Sequence, residues 1–87
     1  MSLSQQYKVL LAQELRSLFK HSDLPRHVAM YSGVDVVGMS SDEIRKMYFV
    51  VKEYRSGLHS AQEGRLCMRL QKVEDVALLV LGSLTNV

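Results

Sequence analysis

Three histidines and one cysteine are the side chains of this sequence best suited to catalysis or metal binding. His21, His27 and His59 have no spacing that places two of them on one helical turn, and no acidic side chain accompanies them as in an H-E-x-x-H metal site. Cys67 would act as a nucleophile only beside an activating histidine, and nothing in the sequence places one there. We therefore predict that the protein is not an enzyme and carries no metal or cofactor.

The sequence also argues against a nucleotide-binding loop, a multi-cysteine zinc site and a membrane-spanning helix. Gly33 and Gly38 flank valines without the lysine that a phosphate-binding loop needs. A single cysteine excludes an intramolecular disulfide and a multi-cysteine zinc site, and it fits a reducing cytoplasm. The longest apolar run, residues 76–81, is far shorter than the roughly 20 residues that span a bilayer. We expect a cytoplasmic protein with no membrane partner and no small-molecule substrate.

Basic side chains recur at helical spacing and could contact the phosphates of a nucleic acid. Arg65, Arg69 and Lys72 follow one another at spacings of four and three, which places them on one helix face. Further candidates precede them in the chain: Arg45, Lys46, Lys52 and Arg55. A solvated helix face is the alternative explanation, because Glu74 and Asp75 follow immediately and the net formal charge is only +2.

A helix-turn-helix arrangement would give the nucleic-acid hypothesis a mechanism. Ala29 and Gly33 have the four-residue offset found in the first helix and turn of such motifs, and the third helix would then read the bases. Two observations oppose this. The interval from Gly33 to Ser40 exceeds the usual turn of three or four residues. Asp42 and Glu43 would repel phosphates at the end of the helix that normally contacts bases.

The elements that must position these side chains are helices. With 87 residues, 47% hydrophobic and 23% charged, the composition is that of one ordinary globular domain. Apolar residues spaced three and four apart predict helices over residues 3–20, 24–32, 41–56 and 61–84. We predict an all-α fold, a small four-helix bundle that comprises residues 1–87.

Serines mark the helix starts. A serine followed three residues later by Gln or Glu has the spacing of a capping box, and this occurs at Ser2–Gln5, Ser40–Glu43 and Ser60–Glu63. Met39 and Ile44 flank the second of these boxes as a hydrophobic staple. For the second helix, Ser22 or Asp23 is the expected cap, with Pro25 in the first turn.

Glycines and valines shape the expected connections. Gly33 is predicted to end the second helix in a left-handed conformation, and Gly57 to end the third. Residues 34–39 are rich in β-branched side chains, so we expect an extended connector whose valines pack on the core.

The last helix carries more apolar surface than a small monomer needs. Its heptad-like seam consists of Leu66, Leu70, Val73, Ala77, Val80 and Leu84. Val76, Leu78, Leu79 and Leu81 make its C-terminal half apolar on every side, and such a helix has to be covered on every side. Either the other helices wrap it, or a second copy or another protein completes its burial.

We predict from this helix a non-enzymatic assembly module, which self-associates or docks on a larger protein through the six seam residues. The alternative is a small DNA-binding transcriptional regulator with a helix-turn-helix-like arrangement, which would use the basic side chains named above.

Overall fold

The computed structural model describes residues 2–21, 24–59 and 61–85. Throughout these ranges the regular structure is helical and no strand occurs, which confirms the all-α prediction. The α-helices are α1 (Leu3–Ser17), α2 (Arg26–Ala29), α3 (Ser41–Ser56) and α4 (Gly64–Thr85). Short 3₁₀ turns follow α1 and α2 and precede α3, at Leu18–Lys20, Met30–Gly33 and Val36–Gly38.

The two predicted capping boxes at α1 and α3 are confirmed. At α1, the Gln5 amide donates to the Ser2 hydroxyl and the Ser2 amide donates to the Gln5 side chain, both at 3.3 Å. At α3, Ser40 and Glu43 make the same reciprocal pair at 3.2 Å. The predicted caps at Ser22, Asp23 and Ser60 lie outside the described residues.

The helix boundaries differ from the sequence prediction at the first, second and fourth helices. The first, predicted over residues 3–20, is α-helical only to Ser17 and ends in a 3₁₀ turn. α2 is only four residues long, with Pro25 as its N-cap rather than inside its first turn. The rest of the predicted second helix is a 3₁₀ turn, whose tighter hydrogen bonding suits short segments of this kind. α4 begins at Gly64 instead of residue 61.

The prediction that Gly57 ends α3 is confirmed, whereas the left-handed conformation predicted for Gly33 is wrong. No described glycine has a positive φ, and Gly57 caps α3 at φ −89° in a right-handed conformation. The prediction for the connector is confirmed in part. Val34 and Asp35 are extended, and Val34 and Val36 pack on the core, but residues 36–38 form a 3₁₀ turn and Val37 is exposed.

α4 packs between α1 and α3, and these two interfaces are the most extensive in the described part of the chain. Lys20 and His21, at the end of α1, line the same cleft as Arg65, at the beginning of α4, so α1 and α4 are antiparallel. A short connection joins the end of α3 to the start of α4, and the two helices pack together, so they are antiparallel as well.

Every α-helix contributes to one core. The largest fully buried side chains are Leu11, Leu15, Leu18, Val28, Val36, Ile44, Met47, Val51, Leu70, Val73 and Val80. Met39 and Ile44, the predicted staple residues at the start of α3, are both buried in this core. The central position of α4 decides which of its faces remains available to other molecules.

Candidate interaction surfaces

The six side chains predicted as an intermolecular seam form the inner face of α4. Five of them are buried within a single copy: Leu66, Leu70, Val73, Ala77 and Val80. The sixth, Leu84, is partly buried. The prediction that they contact a partner is therefore corrected: the spacing identified the apolar stripe, but α1 and α3 of the same chain cover it. A charged substitution at Leu70 or Val80 would report on folding rather than on assembly.

A smaller apolar surface remains at one end of the molecule. Leu78 and Leu79, on the outer face of α4, keep 49% and 48% of their surfaces exposed. Leu3 and Leu10 on α1 are exposed as well. Because α1 is antiparallel to α4, the start of α1 lies toward the end of α4, so Leu3 is at the same end of the molecule as Leu78 and Leu79, and Leu10 lies midway along α1. These four leucines are exposed apolar side chains of two helices that pack together. We call them the apolar end.

Arg55, one of the predicted nucleic-acid contacts, forms an ion pair within the fold. Its Nε and Nη2 donate to the two carboxylate oxygens of Glu74, with Nη2 to Oε1 at 3.1 Å, which links α3 to α4. The Glu74 side chain is 3% exposed and that of Arg55 is 28% exposed. The hydrogen bonds to Glu74 raise the pKa of Arg55 above its ordinary value. This guanidinium is not free to follow a phosphate backbone, which corrects the prediction for Arg55.

The other predicted contacts on α3 are exposed, and two of them have neighbours in the chain. Arg45 forms an ion pair with Asp42 at 3.0 Å. The ammonium of Lys52 lies 5.7 Å from the centre of the Tyr48 ring, within the range of a cation–π interaction. Lys46 is exposed on the same helix. The structure does not gather these cations around a common cleft.

The predicted basic ridge of α4 does become part of a cleft. Arg65, Arg69 and Lys72 line it together with Lys20 and His21, which come from the end of α1, and with Met68. Of the described residues that line it, none is acidic. We call these six residues the basic cleft. Sequence spacing found the α4 ridge but missed Lys20 and His21, because only the antiparallel packing of α1 on α4 brings the two segments together. Met68 was also missed, although its spacing of three from Arg65 and four from Lys72 places it on the same face of α4.

The geometry does not favour a helix-turn-helix reader. The four-residue α2 is separated from α3 by two 3₁₀ turns, so the two helices are not joined by a short turn. At the start of α3, the hydrogen bonds from Ser40 lower the pKa of Glu43, which keeps a negative charge where a reading helix would approach phosphates.

The side chains suited to catalysis or metal binding are not brought together. Within residues 2–21, 24–59 and 61–85, no group of three His, Cys, Asp or Glu side chains could hold a metal ion. His27 packs edge-on against Tyr54 with ring centres 6.3 Å apart, and Cys67 is a partly buried free thiol. None of the described helices combines the length and the apolar character needed to cross a membrane.

Comparison of the chain with protein families, with curated proteins and with solved structures found no match. Arguments about function therefore rest on the two surfaces described above, the apolar end and the basic cleft.

Proposed function

We propose that this chain is a protein-association module whose copies assemble through the apolar end, and not through the inner face of α4. The observation that carries the proposal is the half-exposed pair Leu78 and Leu79 on the outer face of the central helix. A contiguous exposed apolar patch of several hundred Å² usually marks an interaction site, and we propose that Leu78 and Leu79 belong to such a patch with the exposed leucines of α1.

A second copy is the partner that suits this surface best. In a two-fold symmetric dimer the same patch faces itself, so each of the four leucines contributes twice. Completing the burial of a half-exposed leucine is worth roughly 1 kcal/mol, which gives about 8 kcal/mol for two copies. Association costs about 4–15 kcal/mol in lost freedom of motion. The leucines alone therefore offset only the lower part of that cost. A Kd of about 1 mM, which corresponds to about 4 kcal/mol, requires the lowest cost in this range or added contacts from the polar rim.

The test is the mass of the protein in solution as a function of concentration. Sedimentation equilibrium, with reductant present so that Cys67 stays a thiol, should show a mass that rises from one chain toward two. The variant Leu78→Gln/Leu79→Gln should keep the mass of one chain at every concentration. Met30→Gln is the matched control, because Met30 is also an exposed apolar residue but lies in the 3₁₀ turn after α2; it should behave like the wild type.

A wild-type protein that remains a single chain up to about 1 mM would contradict the proposal. So would self-association that persists unchanged in the double glutamine variant, since the contact would then lie elsewhere on the surface.

A further inference from the structure

The basic cleft concentrates positive charge in a way that the rest of the chain does not. Arg65 and Lys72 are seven residues apart on α4, a rise of about 10 Å, with Arg69 between them. Lys20 adds a fourth cation from the end of α1. All four side chains are exposed.

In the absence of a ligand, this grouping of positive charges is energetically unfavourable. Like charges on one helix face destabilise the helix. Arg65 occupies the second position of α4, where the helix dipole favours anions over cations. The acidic side chain nearest in sequence is Glu63, which directly precedes α4 and lines the adjoining cleft with Lys20, His21 and Arg65. On α3, by contrast, Arg45 and Arg55 have carboxylate partners. An anionic ligand in the basic cleft would relieve this repulsion.

The charges are spread along the cleft rather than focused on one point. One small anion would reach only one or two of the four cations. A polymer with a negative charge on every unit would reach several of them together, so a polyanion is the ligand class that the spacing favours.

Met68 narrows the choice among polyanions. It is 74% exposed and lies among the cations that line the cleft. Thioether sulfur makes favourable contacts with aromatic rings. Single-stranded nucleic acid presents an aromatic base beside every phosphate, whereas an acidic peptide need not carry aromatic rings and a duplex hides the faces of its bases in the stack. Proteins that bind single strands combine a basic groove with aromatic side chains on which bases stack, and in this cleft Met68 would take the place of the aromatic side chain.

We propose that the basic cleft binds single-stranded nucleic acid, with Lys20, Arg65, Arg69 and Lys72 contacting successive phosphates and Met68 contacting a base. No helix enters a groove and no base edge is read in this mode, so binding is independent of sequence. Since these residues are separate from the apolar end, the inference does not depend on the proposed self-association.

The experiment is fluorescence anisotropy with a labelled single-stranded oligonucleotide of mixed sequence and about 12 nucleotides. Three or four phosphate contacts predict a slope of log K against log salt concentration of about −2 to −3. The variant Arg69→Gln/Lys72→Gln should bind at least tenfold more weakly at about 0.1 M salt, and its slope should fall toward about −1. The control Lys46→Gln/Lys52→Gln removes the same charge from α3 and should change binding less than about threefold.

Met68→Ala separates the base contact from the charges. It should weaken binding about twofold to tenfold while leaving the salt slope unchanged. All of the substituted side chains are exposed, so the circular dichroism spectrum of each variant should match that of the wild type. The Tm should not fall, and that of Arg69→Gln/Lys72→Gln should rise slightly because repulsion between like charges is relieved.

Four outcomes would overturn the inference. One is equal loss of binding in the cleft variant and in its α3 control, which would indicate a general charge effect. Another is full binding by the cleft variant. A third is displacement of the oligonucleotide by polyglutamate at equal charge concentration, which would favour an acidic protein partner. The last is tighter binding of the matching duplex than of the single strand.

Discussion

Among single residues, Arg55 and Glu74 have unequal environments although they form one ion pair. The Glu74 carboxylate is almost entirely enclosed between α3 and α4, while the Arg55 side chain reaches the surface. A buried carboxylate without its partner has no water to solvate it. A guanidinium without its partner can turn toward solvent. Removing Arg55 should therefore destabilise the fold more than removing Glu74.

We expect Arg55→Met to lower the free energy of unfolding by about 3 kcal/mol, because Glu74 would be left charged and buried. Glu74→Leu should cost less. The combined variant Arg55→Met/Glu74→Leu should return to within about 1 kcal/mol of the wild type, since it removes both charges. Urea unfolding followed by circular dichroism measures all three. A double variant as unstable as Arg55→Met alone would mean that packing, and not the stranded carboxylate, dominates this contact.

Among the elements, α1 and α3 begin with the same capping box but differ in one chemical respect. The third helical position is Gln5 in α1 and Glu43 in α3. Both side chains bond to the amide of the capping serine, but only the carboxylate titrates. Its charge also interacts favourably with the positive end of the α3 dipole. The start of α3 is therefore sensitive to pH in a way that the start of α1 is not.

We expect the contribution of the Glu43 charge to the α3 cap to disappear in acid. The hydrogen bonds from Ser40 lower the pKa of Glu43 below its ordinary 4.5, so the stabilisation is complete above 4.5 and is lost as the pH falls through the lowered value. Glu43→Gln should flatten this part of the pH dependence of Tm, because glutamine keeps the hydrogen bond without the charge. Ser40→Ala should cost about 1 kcal/mol at neutral pH. A Glu43→Gln protein that loses Tm in acid as steeply as the wild type would place the acid sensitivity elsewhere.

At the scale of the whole molecule, local patterns were predictable from sequence and long-range proximity was not. The capping serines and the apolar stripe of α4 follow from spacings within one helix, so periodicity was enough to find them. Whether that stripe faces inward or outward depends on how α1 and α3 pack, and no spacing within α4 contains that information. The basic cleft shows the same limit, because Lys20 and Arg65 meet only when α1 lies antiparallel to α4.

Sequence predicted where α3 ends, because Gly57 follows its last residue, but not the conformation in which it ends. Glycine is the usual signal for a left-handed helix end, but α3 ends at Gly57 in a right-handed conformation, and α1 tightens into a 3₁₀ turn without a glycine. Sequence reasoning thus located the helices better than the surfaces between them.

The two proposed surfaces lie toward opposite ends of α4, with Lys72 and Leu79 separated by a rise of about 10 Å. Substitutions this far apart, with no shared partner, usually have additive effects. Leu78→Gln/Leu79→Gln should therefore abolish self-association and leave the affinity of one chain for a short single strand within about twofold of the wild type. Arg69→Gln/Lys72→Gln should weaken binding of the short single strand and leave self-association unchanged.

Sedimentation and anisotropy measured on the same preparations decide whether the surfaces act independently. If each pair of substitutions impairs only its own function, the helix carries two separate sites along its outer face. If the leucine substitutions weaken binding of the short strand as strongly as the loss of two cations does, the basic cleft would be complete only in the dimer, and the two surfaces would have to be treated as one. The neutral glutamines keep this comparison free of added negative charge, so that a loss of binding reports the contact that was removed rather than repulsion of phosphates.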